Sequence, residues 1–248
     1  MNTGIFITAR LKSTRLPYKV IKGIMGKPMI VHMLDRLKLA GKPELIIINT
    51  STNTQDDVLV EIARKEGVKC FRGDENDVLK RLYEAAMHYR ADLIISCTAD
   101  NPFVDPVYID KLIDSHMAQG NDFTCINGLP MGVSSYAVNK NAVKKVLGIK
   151  DKTDTETWTA YFTDTGMFKV GVLEVEEPFF RRPDIRLTVD YKEDFELISR
   201  IFDNLYKKGC VFNLKEILNF LNKHSELIEI NGSMKQKPLV PIKLKKSF

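Results

Sequence analysis

Four cations crowd one stretch near the amino terminus. Residues 9–19 read Ala-Arg-Leu-Lys-Ser-Thr-Arg-Leu-Pro-Tyr-Lys and follow the apolar run Ile5-Phe6-Ile7, which has the composition of a buried strand. A guanidinium presents a planar fork to phosphate oxygens and a lysine a mobile point charge, so Arg10, Arg15 and Lys19 suit a chain of phosphates. Ser13 and exposed backbone N–H groups add neutral donors. A basic loop is also what an ordinary solvated surface looks like. The glycines of a Walker or dinucleotide loop are absent, so this loop does not name its ligand by itself.

Two acids supply the opposite charge. Asp100 follows the apolar run Leu93-Ile94-Ile95-Ser96-Cys97, and Asp190 follows Ile185-Arg186-Leu187-Thr188-Val189. Both runs read as strands, and ligands of open α/β sheets gather at the carboxyl ends of strands, so both acids are expected at the edge that carries the basic loop. Two hard carboxylates without a neighbouring histidine or thiolate favour Mg²⁺, which keeps several waters and takes phosphate oxygens. Structural roles compete with this one. Asp190 with Glu193 three residues on fits a helix capping box, and Asp100 before Asn101-Pro102 fits a turn.

The elements that must position these groups alternate. Strands are predicted at 3–8, 44–49, 68–72, 92–97 and 122–126, and helices at 28–40, 54–66, 76–90 and 106–119, the last opened by the cap Asp105-Pro106. That order predicts an α/β fold, Rossmann-like, with a mostly parallel sheet flanked by helices. Regularity lapses between 130 and 175, with candidate strands at 133–138 and 167–174 and helices at 139–147 and 154–164. This region is expected to form a small irregular acceptor-binding lobe. A strand at 185–189 and helices at 191–207 and 213–223 complete the pattern. No internal repeat or linker is found, so residues 1–248 are expected to form one domain.

Composition narrows the class. A chain of 248 residues can bury a large core and still open a cleft. Its apolar runs are too short to cross a bilayer, and its start lacks the pattern of a secretory leader, which predicts a cytoplasmic protein without a membrane partner. The four cysteines are spaced neither for zinc nor for a disulfide framework and read as buried free thiols. The four histidines have no evident nucleophile beside them and read as structural or solvated. Part of the net charge of +5 comes from lysines after Asn231. That basic tail, about 232–248, is expected to be solvated and partly disordered rather than a nucleic-acid contact.

The string ARLKSTRLPYK, with Gly26-Lys27-Pro28-Met29-Ile30, RGDENDVLKR at 72–81, TADNPFVDP at 98–106 and RLTVDYKEDFELI at 186–198, closely resembles the CMP-Kdo synthetase and acylneuraminate cytidylyltransferase group, in particular the SpsF-like proteins. The similarity runs through most of the chain in the family's order. It implies a nucleotidyltransferase that moves CMP from CTP onto an acidic or phosphorylated sugar-like acceptor, releases pyrophosphate and serves surface polysaccharide or glycan synthesis. By this resemblance Arg10, Ser13, Arg15 and Lys19 would hold the triphosphate, and Ala9, Arg72, Asp77, Arg81, Thr98 and Ala99 would complete the nucleotide pocket. Asp100 and Asp190 would hold Mg²⁺, with Arg10, Arg15, Lys19 and Asp100 serving catalysis. The resemblance also implies a homodimer, with 130–175 as a contact surface.

The chain departs from the family's pattern at Tyr18 and Ala99, where glycine is usual. It departs again in the acceptor lobe, where Ser134 and Tyr136 stand at places that are commonly acidic and Thr155 and Thr157 flank Glu156. Gly132, Ser134, Tyr136, Glu156 and Trp158 are the candidate acceptor residues, although core packing is the more ordinary role for Trp158. Replacing acids by hydroxyls lowers repulsion toward an anionic acceptor. Open alternatives are guanylyl or uridylyl transfer to a sugar 1-phosphate, a glycosyltransferase that releases a nucleoside diphosphate, and a noncatalytic nucleotide-binding protein.

Overall fold

The computed structural model describes residues 1–155, 157–236 and 241–245. Nine strands and eight α-helices are assigned among them. β1 (Thr3–Thr8) is followed by a two-stranded hairpin of β2 (Gly23–Ile24) and β3 (Lys27–Pro28), then α1 (Met29–Leu37), β4 (Leu45–Ser51), α2 (Asp57–Glu66) and β5 (Lys69–Gly73). Next come α3 (Val78–His88), β6 (Leu93–Thr98), α4 (Pro106–Gln119), β7 (Phe123–Asn127) and β8 (Tyr136–Asn139). The chain continues through α5 (Lys140–Ile149), α6 (Ala160–Thr163), β9 (Val170–Glu174), α7 (Lys192–Leu205) and α8 (Leu214–Lys223).

Seven strands form one sheet in the order β5-β4-β1-β6-β8-β7-β9. Every pairing is parallel except those of β8, which runs antiparallel to both β6 and β7. Strand alternation fills both faces. Ile5 and Ile7 point into a core shared with α1, α2 and α4, while Phe6 between them joins Ile47 and Ile94 against α3 and α5. Such two-sided burial explains why the parallel strands read as continuous apolar runs. Asp105 caps α4 as predicted, its Oδ1 accepting the N–H groups of Val107 and Tyr108 at 3.0 and 3.1 Å, with Pro106 at the first helical position.

Register sets the edge that matters. Thr8 pairs with Thr98 across β1 and β6, so residues 9 and 99 leave the sheet side by side, and the Ala99 N–H donates to the Thr8 carbonyl at 3.0 Å. Because β8 is antiparallel, Tyr136 enters it in register with Ser96 near that same edge.

Four expectations are corrected. Residues 185–189 do not join the sheet. They run extended, with the Leu187 N–H on the Met131 carbonyl at 2.7 Å and the Val189 N–H on the Asp100 carbonyl at 2.8 Å. Their alternating Ile185, Leu187 and Val189 bury instead against α7 and α8. The predicted helix at 154–164 contracts to α6, four residues long, with Trp158 before it packed into an aromatic cluster. Residues 241–245 of the basic tail are docked: Lys150 bridges Leu244, and the Lys245 N–H donates to the Ile149 carbonyl at 2.9 Å. Of the cysteines, Cys97 is buried, but Cys210 is exposed and Cys70 and Cys125 are half-buried. Among the described residues no helix is long and apolar enough to cross a membrane.

Candidate active site

The basic loop is folded back on itself by its own apolar residues. Leu11 and Val20 sink into the core, the Leu11 N–H donates to Asp56 Oδ1 at 2.8 Å, and the Tyr18 N–H reaches back to the Leu11 carbonyl at 3.3 Å. Ser13 turns inward on the loop, its Oγ accepting the Leu16 N–H at 3.4 Å. Tyr18 adopts a left-handed backbone, φ 58°, with its side chain 54% exposed. This is the geometry glycine tolerates best, and it opens the short 3₁₀ turn that aims Lys19 inward.

Lys19 is the hub. Its Nζ donates to Asp100 Oδ2 at 2.8 Å, to Asp190 Oδ1 at 2.9 Å and to the Val189 carbonyl at 2.7 Å. Two acids 90 positions apart therefore turn one oxygen each toward a single point, beside the basic loop. Arg15 adds a second cation, with Nη2 2.8 Å from Asp190 Oδ1 and its guanidinium 5.0 Å from the Tyr191 ring centre. Burial alone would lower the Lys19 pKa, but Asp100 and Asp190 outweigh it and hold the ammonium above its ordinary value. Burial likewise opposes Asp190, and Lys19, Arg15 and Arg186 together keep its carboxylate below the usual range.

The capping role read for Asp190 belongs elsewhere. α7 starts at Lys192, and Asp194, not Glu193, accepts the N–H groups of Asp190 and Tyr191 at 2.8 and 2.9 Å. Asp190 is thus free of cap duty. Arg186, Tyr191 and Asp194 escaped the sequence reading as site residues, although all three lie in the 186–198 motif. The i to i+4 and i to i+8 spacings from Arg186 to the two acids were the signal, and reading 185–189 as a sheet strand hid it.

A second cationic group forms where the loop leaves β1. Arg10 Nη1 and Arg81 Nη1 converge on the Glu75 carbonyl at 2.6 and 3.3 Å, and Arg81 also donates to the Asp74 carbonyl. Arg81 is fully buried, with Nε and Nη2 lacking a hydrogen-bond partner among the described residues. Burial, and then the charge of Arg10, push it down to about 10. An anion near this pair would relieve both penalties.

The other nucleotide candidates are tied into the strand ends and turns around the loop. Arg72 donates to the Ser51 and Asn53 carbonyls at 2.9 and 2.8 Å and meets Asp57 at 2.7 Å, which locks the turn after β4. Asp77 caps α3, accepting from the Lys80 N–H at 3.1 Å and the Thr155 hydroxyl at 3.0 Å, and pairs with Lys150. Ala9 and Ala99 are buried at the strand ends, while Thr98 is exposed and accepts from Asn101 at 2.9 Å.

In the 130–175 region, Gly132 has φ 90°, and a Cβ there would lie 2.5 Å from the Thr188 nitrogen. It lets residues 131–132 run against the segment that ends in Asp190. Ser134 is half-buried and Tyr136 is 36% exposed, its ring stacked on Phe123. Trp158 is buried edge-on to Phe123, Tyr136 and Phe162, as core packing requires. Glu156 lies outside the described residues.

The donor set suits a hard dication. No group of three or more histidine, cysteine, aspartate or glutamate side chains that could hold a metal occurs among the described residues. The Asp100 and Asp190 oxygens, both within 2.9 Å of one nitrogen, are hard donors of the kind that Mg²⁺ prefers.

Known proteins share this arrangement of sequence. The Bacillus subtilis spore coat polysaccharide biosynthesis protein SpsF is 31% identical over 234 residues, 91% of this chain and 97% of its own length. A 3-deoxy-manno-octulosonate cytidylyltransferase of Yersinia pseudotuberculosis is 32% identical over 161 residues, 63% of this chain and 60% of its own. The solved structure of a cytidylyltransferase from Leptospira borgpetersenii superposes with a TM-score of 0.84 at 26% identity, covering 96% of this chain and all of the other. Residues 5–225 match the cytidylyltransferase family, and the chain belongs to it.

Proposed function

We propose that this cytidylyltransferase transfers CMP from CTP to an anionic sugar-like acceptor, either an acidic or a phosphorylated sugar, and that it uses Mg²⁺ held by Asp100 and Asp190. The observation that carries the reading is the shared approach of those two carboxylates to Lys19 Nζ, at 2.8 and 2.9 Å, beside Arg15. The relatives support the setting, since SpsF is named for spore coat polysaccharide biosynthesis and the Yersinia enzyme for 3-deoxy-manno-octulosonate.

In this reaction an acceptor oxygen forms a bond to the α-phosphorus while the bond from that phosphorus to the bridging oxygen breaks, pyrophosphate leaves with the electron pair, and a hydroxyl acceptor releases its proton to solvent. Mg²⁺, when bound, supplies a Lewis acid that offsets charge on the phosphates. The protein's own part is positioning and charge compensation. Arg15 and Lys19 stand at the carboxylates, and Arg10, which shares the Glu75 carbonyl with Arg81, opens the same loop, so this one loop carries the cations proposed to meet the triphosphate. Lys19 bridges both acids and with Arg15 offsets their charge, which keeps two carboxylates from facing one another unpaired. Ser134 and Tyr136 would meet the acceptor at the neighbouring edge of β8.

A pyrophosphate-release assay crossing four nucleoside triphosphates with acidic sugars, phosphorylated small molecules and neutral sugars tests this. Release only with CTP and an anionic acceptor is expected. Turnover confined to neutral acceptors, or release of a nucleoside diphosphate, would contradict it. Homodimerisation belongs to the same proposal. β9 is one of the two edge strands, with Val170 and Val172 exposed, and sedimentation of a dimer is the expected result.

A further inference from the structure

Asp190 is held from behind by a buried polar network. Its two oxygens are divided: Oδ1 faces Lys19 and Arg15, while Oδ2 lies 3.2 Å from Arg186 Nη2. Arg186 is committed in turn to Asp194, Nε to Oδ1 at 2.8 Å and Nη2 to Oδ2 at 3.1 Å, which is the forked geometry only arginine offers. Asp194 also fixes the backbone that carries Asp190, through the N–H groups of residues 190 and 191.

The network extends beyond α8. Asn231 Nδ2 donates to Asp194 Oδ1 at 2.8 Å and to the Arg186 carbonyl at 3.0 Å, and Arg186 Nη1 donates to Gln236 Oε1 at 2.8 Å. Arg186, Asp194 and Asn231 are 7%, 0% and 1% exposed. Groups this buried have little freedom, so the direction of the Asp190 carboxylate is set from a segment some 40 residues downstream. Charged groups aligned behind one oxygen are what a ligand held to a fixed direction needs.

We propose that Arg186 and Asp194, held by Asn231, are positioning residues that aim Asp190 Oδ1 at the metal, and that they make metal affinity depend on the segment following α8. This rests on the reading of Asp190 as a metal ligand. None of these three residues touches substrate; they act through Asp190.

The test uses the full chain with Mn²⁺ as probe. Free Mn²⁺ is followed by electron paramagnetic resonance with and without CTP, against a protein-free Mn²⁺–CTP control because CTP itself chelates the ion, beside the KM for CTP and the melting midpoint. Arg186→Lys keeps the charge but loses the fork, and Asn231→Ala removes a neutral donor only. Both are expected to weaken Mn²⁺ binding roughly ten-fold, the range seen when the support of a metal ligand is lost, with kcat largely recovered at saturating metal. Asp190→Asn is the control and is expected to lose the site. Wild-type Mn²⁺ affinity in Arg186→Lys and Asn231→Ala, with loss in Asp190→Asn, overturns the positioning role alone. Wild-type affinity in Asp190→Asn removes the metal reading and this inference with it. Should Arg186→Lys fail to fold, Asn231→Ala decides.

Discussion

Replacing Lys19 by Met removes the cation that two acids share. Asp190 keeps Arg15 at 2.8 Å and Arg186 at 3.2 Å, whereas Asp100 has no other cation among the ion pairs of the described residues, and its side chain is 25% exposed. Removing one partner of a buried ion pair costs about 3–5 kcal/mol. The surviving partners of Asp190 and the partial hydration of Asp100 place this case near the lower end, about 3 kcal/mol. For a chain of this length that corresponds to a drop of roughly 6–12 °C in melting midpoint. Sign and pH window follow from the two shifts. Lys19 is held above its ordinary 10.5, so its contribution is present below that value and lost as pH rises through the folded-state value. Asp190 is held below 3.8, so its contribution is present above that value and lost as pH falls through the folded-state value. The difference between wild type and Lys19→Met should therefore be flat across neutral pH and shrink at both extremes. Millimolar Mg²⁺ should restabilise the variant more than the wild type, because the dication no longer competes with an ammonium. Urea and thermal unfolding across pH, with and without Mg²⁺, measure all three effects. A variant that melts within a degree of wild type at pH 7, or gains nothing from Mg²⁺, would refute the reasoning.

Other outcomes follow from the same geometry. Asp100→Asn and Asp190→Asn should each cut metal-dependent turnover by on the order of 10²-fold or more while the fold persists, read as pyrophosphate release beside circular dichroism; near wild-type rates in both would remove the mechanism. Trp158→Ala should destabilise the protein by about 3–5 kcal/mol, as expected for a buried aromatic, without a selective rise in acceptor KM, and a large KM effect in a stable variant would show that the ring meets substrate after all. Gly132→Ala forces a Cβ to within 2.5 Å of the Thr188 nitrogen at φ 90°, so it should both lower the melting midpoint and weaken metal binding by displacing the segment that carries Asp190. Unchanged metal affinity would separate that segment from the site.

The half of the molecule built from parallel strands was legible because burial on both faces leaves continuous apolar runs, and because Asp105-Pro106 and the helical faces mark their own boundaries. The edge shared by the basic loop and Asp100 followed from topology, since parallel β1 and β6 deliver their carboxyl ends to one side, whereas Asp190 reaches it on a segment outside the sheet. What the residues hid were features made by tertiary contact. Ile185, Leu187 and Val189 alternate as a strand does, but their partner is a short segment at Met131 and Gly132 rather than a sheet strand. Residues 241–245 looked like solvated tail, yet Ile242 packs against the core beside Leu147 and the chain bridges Lys150. Arg186 stood in plain view inside a motif, and only the fold shows that its fork faces Asp190 and Asp194.

The central claim is that Asp100 and Asp190 grip one divalent cation against the nucleotide's phosphates. A crystal of the protein with CTP and Mn²⁺, measured at the manganese edge, tests it most directly. The account predicts one anomalous peak within coordination distance of both carboxylates and of an α-phosphate oxygen, with Lys19 moved off at least one acid. A peak elsewhere, or a bound nucleotide whose phosphates leave Lys19 bridging both aspartates, would contradict it.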